Sequence, residues 1–233
     1  METRKNKFLL FCFTLFYGSV CSQTAENTGW LFLSHSQKLS KKFKALADVQ
    51  VRSTDKLMHI KTLLLRAGIG YSLSDKNSVT VGYTYKGDWA MDGGKSMYSP
   101  ENRIYEQYSF GSNIRKVEFT LRYRREQRFI KDTSNYNFSQ RSRAFASFQI
   151  PLVANRDFSK GLYTTIQDEL FLNVQHKEKV NNSFFDQNRA FISIGYRWSK
   201  KIDTEIGYMN WLKREFNGDE KTNVYQLMIT TSL

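Results

Sequence analysis

Ile69-Gly-Tyr-Ser-Leu-Ser-Asp-Lys76, continuing to Val81-Gly82-Tyr83, and Ile194-Gly-Tyr-Arg-Trp-Ser-Lys-Lys201, continuing to Ile206-Gly207-Tyr208, spell nearly the same hairpin 125 residues apart. The two copies align without a gap over fifteen positions, and apolar residues fall on alternate positions of both arms. Ile69, Tyr71 and Leu73 share one face before the turn, and Val79, Val81 and Tyr83 return on it. In the second copy Ile194, Tyr196, Trp198, Thr204, Ile206 and Tyr208 do the same. Period-two alternation around a short polar turn describes a half-buried antiparallel hairpin. Leu39-Ser-Lys-Lys42 repeats the turn once more near the start.

The same alternation, followed outward, gives eleven candidate strands: 30–39, 43–52, 62–73, 78–87, 103–111, 117–128, 143–150, 162–174, 189–198, 202–213 and 223–233. Most approach the roughly 9–11 residues with which a tilted strand crosses a bilayer. Short connections fall at 40–42, 74–77, 112–116 and 199–201, with 151–161 a longer member of that set. Long polar connections fall at 53–61, 88–102, 129–142, 175–188 and 214–222. Short turns at one end and long loops at the other predict an all-β, transmembrane, up-and-down antiparallel barrel of 10–12 strands. An even count of ten or twelve is the expectation for a bacterial barrel, so eleven implies one strand split or missed. With the last strand ending on the short-turn side, the first would have to start from the long-loop side, or the N-terminal segment would thread the barrel.

The two faces of these strands differ. Val117, Phe119, Leu121 and Tyr123, then Ala144, Ala146, Phe148 and Ile150, then Ala190, Ile192 and Ile194 suit lipid. The opposite face carries Lys44, Asp48, Arg52, Arg66, Lys86 and Arg103, with further charges on later strands including Arg189, Arg197, Asp203 and Glu205. A soluble sandwich would reverse this, keeping both inner faces apolar. Asp168 and Glu106 fall on nominally lipid-facing positions, for which a local β-bulge is the expected explanation. The lumen cluster singled out is Glu118, Arg122, Arg124 and Glu126 on one strand, Arg143 on the next and Glu169 on the one after. It reads either as a selectivity constriction or ligand-gripping patch in a narrow pore, or as a salt-bridged plug. About eight strands are filled by side chains and about sixteen leave a channel, and the plug is the favoured reading for a barrel between.

The first residues predict the compartment. Arg4, Lys5 and Lys7 precede an apolar run from Phe8 to Tyr17, and Val20-Cys21-Ser22 offers small residues for cleavage before Gln23. That is the pattern of a secretory signal over 1–22, leaving an outer-membrane barrel over 23–233. Both cysteines, Cys12 and Cys21, lie in the segment expected to be removed. The whole chain carries 35 Lys and Arg against 22 Asp and Glu. The signal contains three of the former and one of the latter, so the mature part keeps 32 against 21, or +11. Export and the lack of a basic cluster argue against nucleic acid as the partner. Outer-membrane lipid and lipopolysaccharide, with the barrel-assembly machinery, are the expected partners. The terminal alternation Tyr225, Leu227, Ile229, Thr231, Leu233 departs from the terminal aromatic that assembly signals favour.

Catalysis is not expected. The histidines are His35, His59 and His176. Ser34-His35-Ser36 looks like a nucleophile beside a base, but strand neighbours point to opposite faces, so neither serine easily meets the ring. His59 and His176 read as surface residues, and with no Cys beside them no metal or cofactor is expected. Gly68 and Gly70 alternate within a strand, where small residues relieve lumen crowding, and are not a phosphate loop. An outer-membrane lipid hydrolase and a secreted lipocalin-like barrel stand as the alternatives.

The Trp30 opening, the Ser-x-Lys turns, the Gly-Tyr strands and the run Asp168-Glu-Leu-Phe-Leu172 give the chain its family likeness: it resembles the domain of unknown function 2490 family from about Trp30 to Leu233. That resemblance implies a Gram-negative outer-membrane barrel and no particular chemistry.

Overall fold

The computed structural model describes residues 26–92, 95–132 and 135–233. The signal segment 1–22 and the cleavage before Gln23 lie outside the described residues.

Eleven strands follow one another in chain order: β1 (Glu26–Lys38), β2 (Phe43–Ser53), β3 (Ile60–Ser72), β4 (Asn77–Asp92), β5 (Lys95–Ile114), β6 (Val117–Asp132), β7 (Asn135–Ala154), β8 (Gly161–Gln175), β9 (Phe185–Ser199), β10 (Ile202–Glu215) and β11 (Gly218–Ser232). Each pairs with its sequence neighbours, and β1 closes on β11, so the sheet is a barrel without an edge. The repeated hairpins have the register that their sequences require. Ile69 faces Val81 and Tyr71 faces Val79, and in the second copy Ile194 faces Ile206 and Tyr196 faces Thr204.

The expected even count is corrected. An odd number of up-and-down strands leaves the first and last running the same way, so the seam must be parallel. It is, from Glu26 opposite Thr222 to Ser36 opposite Ser232. Parallel pairing is slightly weaker per residue than antiparallel, but eleven register positions make a continuous seam. β1 therefore starts at the end opposite the short turns, as the first-strand direction demanded.

Three turns share one device. Ser40 Oγ accepts from the Lys42 and Phe43 amides, Ser74 Oγ from the Lys76 and Asn77 amides, and Ser199 Oγ from the Lys201 amide. A serine that satisfies turn amides competes well with ladder bonding and stops the strand.

At the far end the expected long loops are corrected too. Much of 88–102 and 129–142 continues as paired strand, making two tall hairpins. Cross-strand aromatic pairs hold them: Trp89 against Tyr98 with centroids 5.1 Å apart, and Phe129 against Phe138 at 5.4 Å. Such pairs each add a few tenths to about 1 kcal/mol, which polar composition conceals. The 214–222 connection is likewise a tight hairpin, with Glu215 paired to Gly218. True loops remain around the single 3-10 turns Asp55–Leu57 and Lys177–Lys179.

Asp168 and Glu106 face outward, and no register shift accompanies either, which corrects the bulge expectation. Each is instead bonded to a polar neighbour on the next strand: Asn188 Nδ2 donates to Asp168 at 2.9 Å, and Gln127 Nε2 donates to Glu106 at 3.1 and 3.2 Å. Paired amides satisfy these carboxylates without a change of face. Among the described residues no helix is long and apolar enough to cross a membrane, a fact that says nothing of strands.

Candidate functional site: the barrel lumen

Inward-pointing side chains make two main groupings, one apolar and one ionic, beside separate ion pairs such as Arg66–Asp48 and Arg197–Asp203. Trp30, Phe191, Met209 and Val224 form an apolar cluster on β1, β9, β10 and β11, with Trp211 packed against it. The other grouping, on β5 to β9, is ionic. At its centre Glu126 is 1% exposed. Arg141 donates to its Oε2 from Nε and Nη2 at 3.0 and 2.6 Å, and Arg143 donates from Nη1 to its Oε1 at 2.6 Å. Arg143 also reaches Glu169 Oε1 at 2.8 Å, and Arg122 Nη2 meets the same oxygen at 2.6 Å. Arg141 Nη1 extends the chain to Asp186 at 2.7 Å, while Arg103 and Arg128 both donate to Glu101. Forked guanidiniums sharing carboxylates suit burial, because each charge then finds several charge-assisted bonds.

Five of the six predicted residues meet here: Arg122, Arg124, Glu126, Arg143 and Glu169. Arg124 sits 3.9 Å from Glu126 but is held mainly by Gln107 Oε1, at 2.9 and 2.6 Å, and lies 4.2 Å from the Tyr105 ring centroid. Glu118 does not join. It lies eight residues before Glu126 on the same strand, roughly 27 Å at the usual rise, and parity fixes a face but not a height. It pairs instead with Arg197 of β9 at 2.8 Å, close to the short-turn end. There Phe158, from the turn between β7 and β8, folds inward and is buried. The Arg197 guanidinium lies 4.1 Å from its ring centroid and donates to its carbonyl at 3.0 Å. In the same turn the Ser159 hydroxyl, then Lys200, hold the Asp157 carboxyl below the usual carboxylate range.

Sequence reading did not single out Glu101, Arg128, Arg141 and Asp186. All but Arg128 lie in segments whose polar composition predicts loops, 88–102, 129–142 and 175–188. Continuing the parity of Arg143 back through Arg141 to Ser139 would have placed both inside, and both are buried.

Glycine of the repeated Gly-Tyr pair points inward while its tyrosine points out. A methyl on Gly82 would overlap the Tyr105 ring, and one on the equivalent Gly207 would lie 2.5 Å from Phe191 Cζ. Large inward aromatics thus lie across bare backbone, the arrangement that keeps a curved strand packed. Toward the long-connection end the lumen opens into a cavity of about 420 Å³.

His35 bonds through Nδ1 to Thr231 Oγ1 at 2.7 Å, its cross-strand partner, on the outward face. His176 meets Glu178 at 3.1 Å and the edge of Phe138. Among the described residues no group of three or more His, Cys, Asp and Glu side chains is placed to hold a metal. Asn181 of the Asn181-Asn182-Ser183 run is buried, bonded to Asn173, Asp186 and the Arg214 carbonyl.

The sequence profile of a family described as protein of unknown function (DUF2490) matches residues 27–222. An uncharacterized protein of Methylorubrum extorquens is 26% identical over 183 residues, covering 78% of this chain and 77% of that one. No solved structure matches the chain significantly.

Proposed function

The chain belongs to the DUF2490 family of unknown function, and from that premise we propose that it is a non-enzymatic outer-membrane barrel whose lumen is plugged by salt bridges. The observation that carries this reading is the burial of Glu126 between Arg141 and Arg143, one link in a network from Arg122 to Asp186. Charges lining an aqueous pore would stand in water and need no such mutual neutralisation. Arg197 and Phe158 close part of the short-turn end in addition. The outward rows of Ile192, Ile194 and Ile206, all exposed, support lipid contact, because an apolar surface of that extent has no stable place in water. The short-turn side then faces the periplasm, and the tall hairpins face lipopolysaccharide and the exterior.

The test is conductance across a planar bilayer by refolded protein. Near-silent insertion is expected. Steady, ion-selective conductance would favour the narrow-pore reading. The same sample is expected to release no fatty acid from phospholipid. Cleavage lost on His35→Ala would restore the hydrolase reading.

A further inference from the structure

We propose that the cavity at the long-connection end is a binding site for a small oxyanion, a carboxylate or phosphate group, gripped between Arg52 of β2 and Arg189 of β9 beside Trp30. The proposal rests on the barrel reading above only for which side of the membrane supplies the ligand.

The first observation is charge. The cavity wall carries twelve Lys and Arg against five Asp and Glu. Most of those cations are already neutralised: Lys61 by Glu26, Arg66 by Asp48, Arg103 and Arg128 by Glu101, Arg141 by Glu126 and Asp186. Arg52 and Arg189 are not. Among the described residues neither forms an ion pair, and each has only an uncharged amide oxygen. Arg52 Nη2 donates to Gln50 Oε1 at 2.7 Å, and Arg189 donates to Gln187 Oε1 at 3.0 and 2.8 Å.

The second observation is unmet bonding. Arg52 is 7% exposed, and its buried Nε has no acceptor. Thr28 Oγ1, buried in the same wall, has no partner either. Asp88 acts on Arg52 and Glu169 on Arg189 only from beyond ion-pair distance. A buried guanidinium with no carboxylate in contact is costly, and a buried donor without an acceptor adds to that cost.

The third is how the two arginines are held. The Arg52 and Arg189 guanidinium carbons lie 3.8 and 5.1 Å from the Trp30 ring centroid, and Arg189 also lies 4.7 Å from that of Phe171 and 5.0 Å from that of Trp211. Aromatic rings attract and orient a guanidinium without neutralising it. Each fork is anchored by its flat face and by one uncharged amide oxygen, so Arg52 Nε and the N–H groups not spent on Gln50 and Gln187 are left for a planar or tetrahedral oxyanion. The aromatic faces being occupied, the site recognises charge and oxygen geometry more than apolar bulk. A volume of about 420 Å³ falls within the range of small-ligand sites.

The oxyanion can arrive free or as the headgroup of lipopolysaccharide, and the experiment separates the two. Full-length protein refolded in detergent is titrated calorimetrically with inorganic phosphate, with citrate and with uncharged glycerol. A parallel arm uses micelles doped with lipopolysaccharide, and tryptophan emission, to which Trp30 and Trp211 beside the arginines contribute, is followed throughout. Saturable binding of an anion but not of glycerol is expected, weakened about tenfold or more by Arg52→Gln and by Arg189→Gln. Lys201→Gln, at the opposite end, should leave it unchanged. Arg52→Lys keeps the charge and the packing stem but loses the fork, so it should fold and still bind more weakly. Binding confined to the lipopolysaccharide arm, with the same arginine dependence, assigns the oxyanion to a headgroup. Absence of saturable binding by every anion up to about 10 mM, or equal binding by an Arg52→Gln/Arg189→Gln protein that shows folded mobility, overturns the site. Conductance on the same sample judges the plug separately, since an open barrel could still bind the anion and a closed one could fail to.

Discussion

Arg197 reaches across the barrel interior to Glu118, with Nη1 and Nη2 at 2.8 and 2.9 Å from the two carboxylate oxygens, although their strands β9 and β6 share no ladder. The contact ties two walls of the cylinder together at the short-turn end. Asp203 takes the Nε side of the same guanidinium at 3.0 Å.

Glu126→Gln should be the most damaging single change in the ionic grouping. It leaves Arg141 and Arg143 facing each other without their shared carboxylate. Removing one partner of a buried pair costs about 3–5 kcal/mol. Urea titration of folded against unfolded gel mobility measures it. Arg141 keeps Asp186 and Arg143 keeps Glu169, as Arg197 keeps Asp203, so burial separates the two changes: Glu118→Gln should cost much less because Glu118 is partly exposed and Glu126 is not. Equal losses would mean that the network is not what closes the barrel.

Gly82→Ala should destabilise by about 1–3 kcal/mol through overpacking against Tyr105. Gly111→Ala should be neutral, since nothing lies within 4 Å of a methyl there. The same mobility assay compares them, and a harmless Gly82→Ala would deny the close approach of ring and backbone.

Ile206→Arg and Thr230→Arg separate the faces. Ile206 is 67% exposed on the outside. Thr230 points inward opposite Asp203, which can receive a new cation. On a lipid face arginine costs about 2–4 kcal/mol near the midplane. Folding into liposomes should therefore fail far more for Ile206→Arg. The reverse order would revive a soluble barrel.

Single cysteines at Asp75 and Glu178, both exposed at opposite ends, should react differently in intact cells. An impermeant maleimide should label Glu178→Cys and spare Asp75→Cys. Asn181 would be a poor reporter because its side chain is buried, and Ser74 because it bonds its own turn. Equal labelling would refute the assignment of the tall hairpins to the exterior.

Sequence alone determined the alternation, the face of most charges within the strands it predicted and the positions of the serine turns, because a strand's period of two is local and needs no partner. Eleven strands could be counted from it, and the Gly-Tyr repeat already implied glycine inside and tyrosine outside. What it left to the tertiary structure was everything that depends on height around a closed, tilted cylinder. Parity placed Glu118 beside Glu126, but only the fold showed that Arg197 claims it. Arg52 and Arg189 come from strands β2 and β9, and only closure through the parallel β1–β11 seam brings both to Trp30. Arg141 and Glu101 were lost in apparent loops, because cross-strand aromatic pairing, not local hydrophobicity, keeps those segments extended. Register and closure are long-range properties, fixed by which strands meet, and no single stretch of residues encodes them.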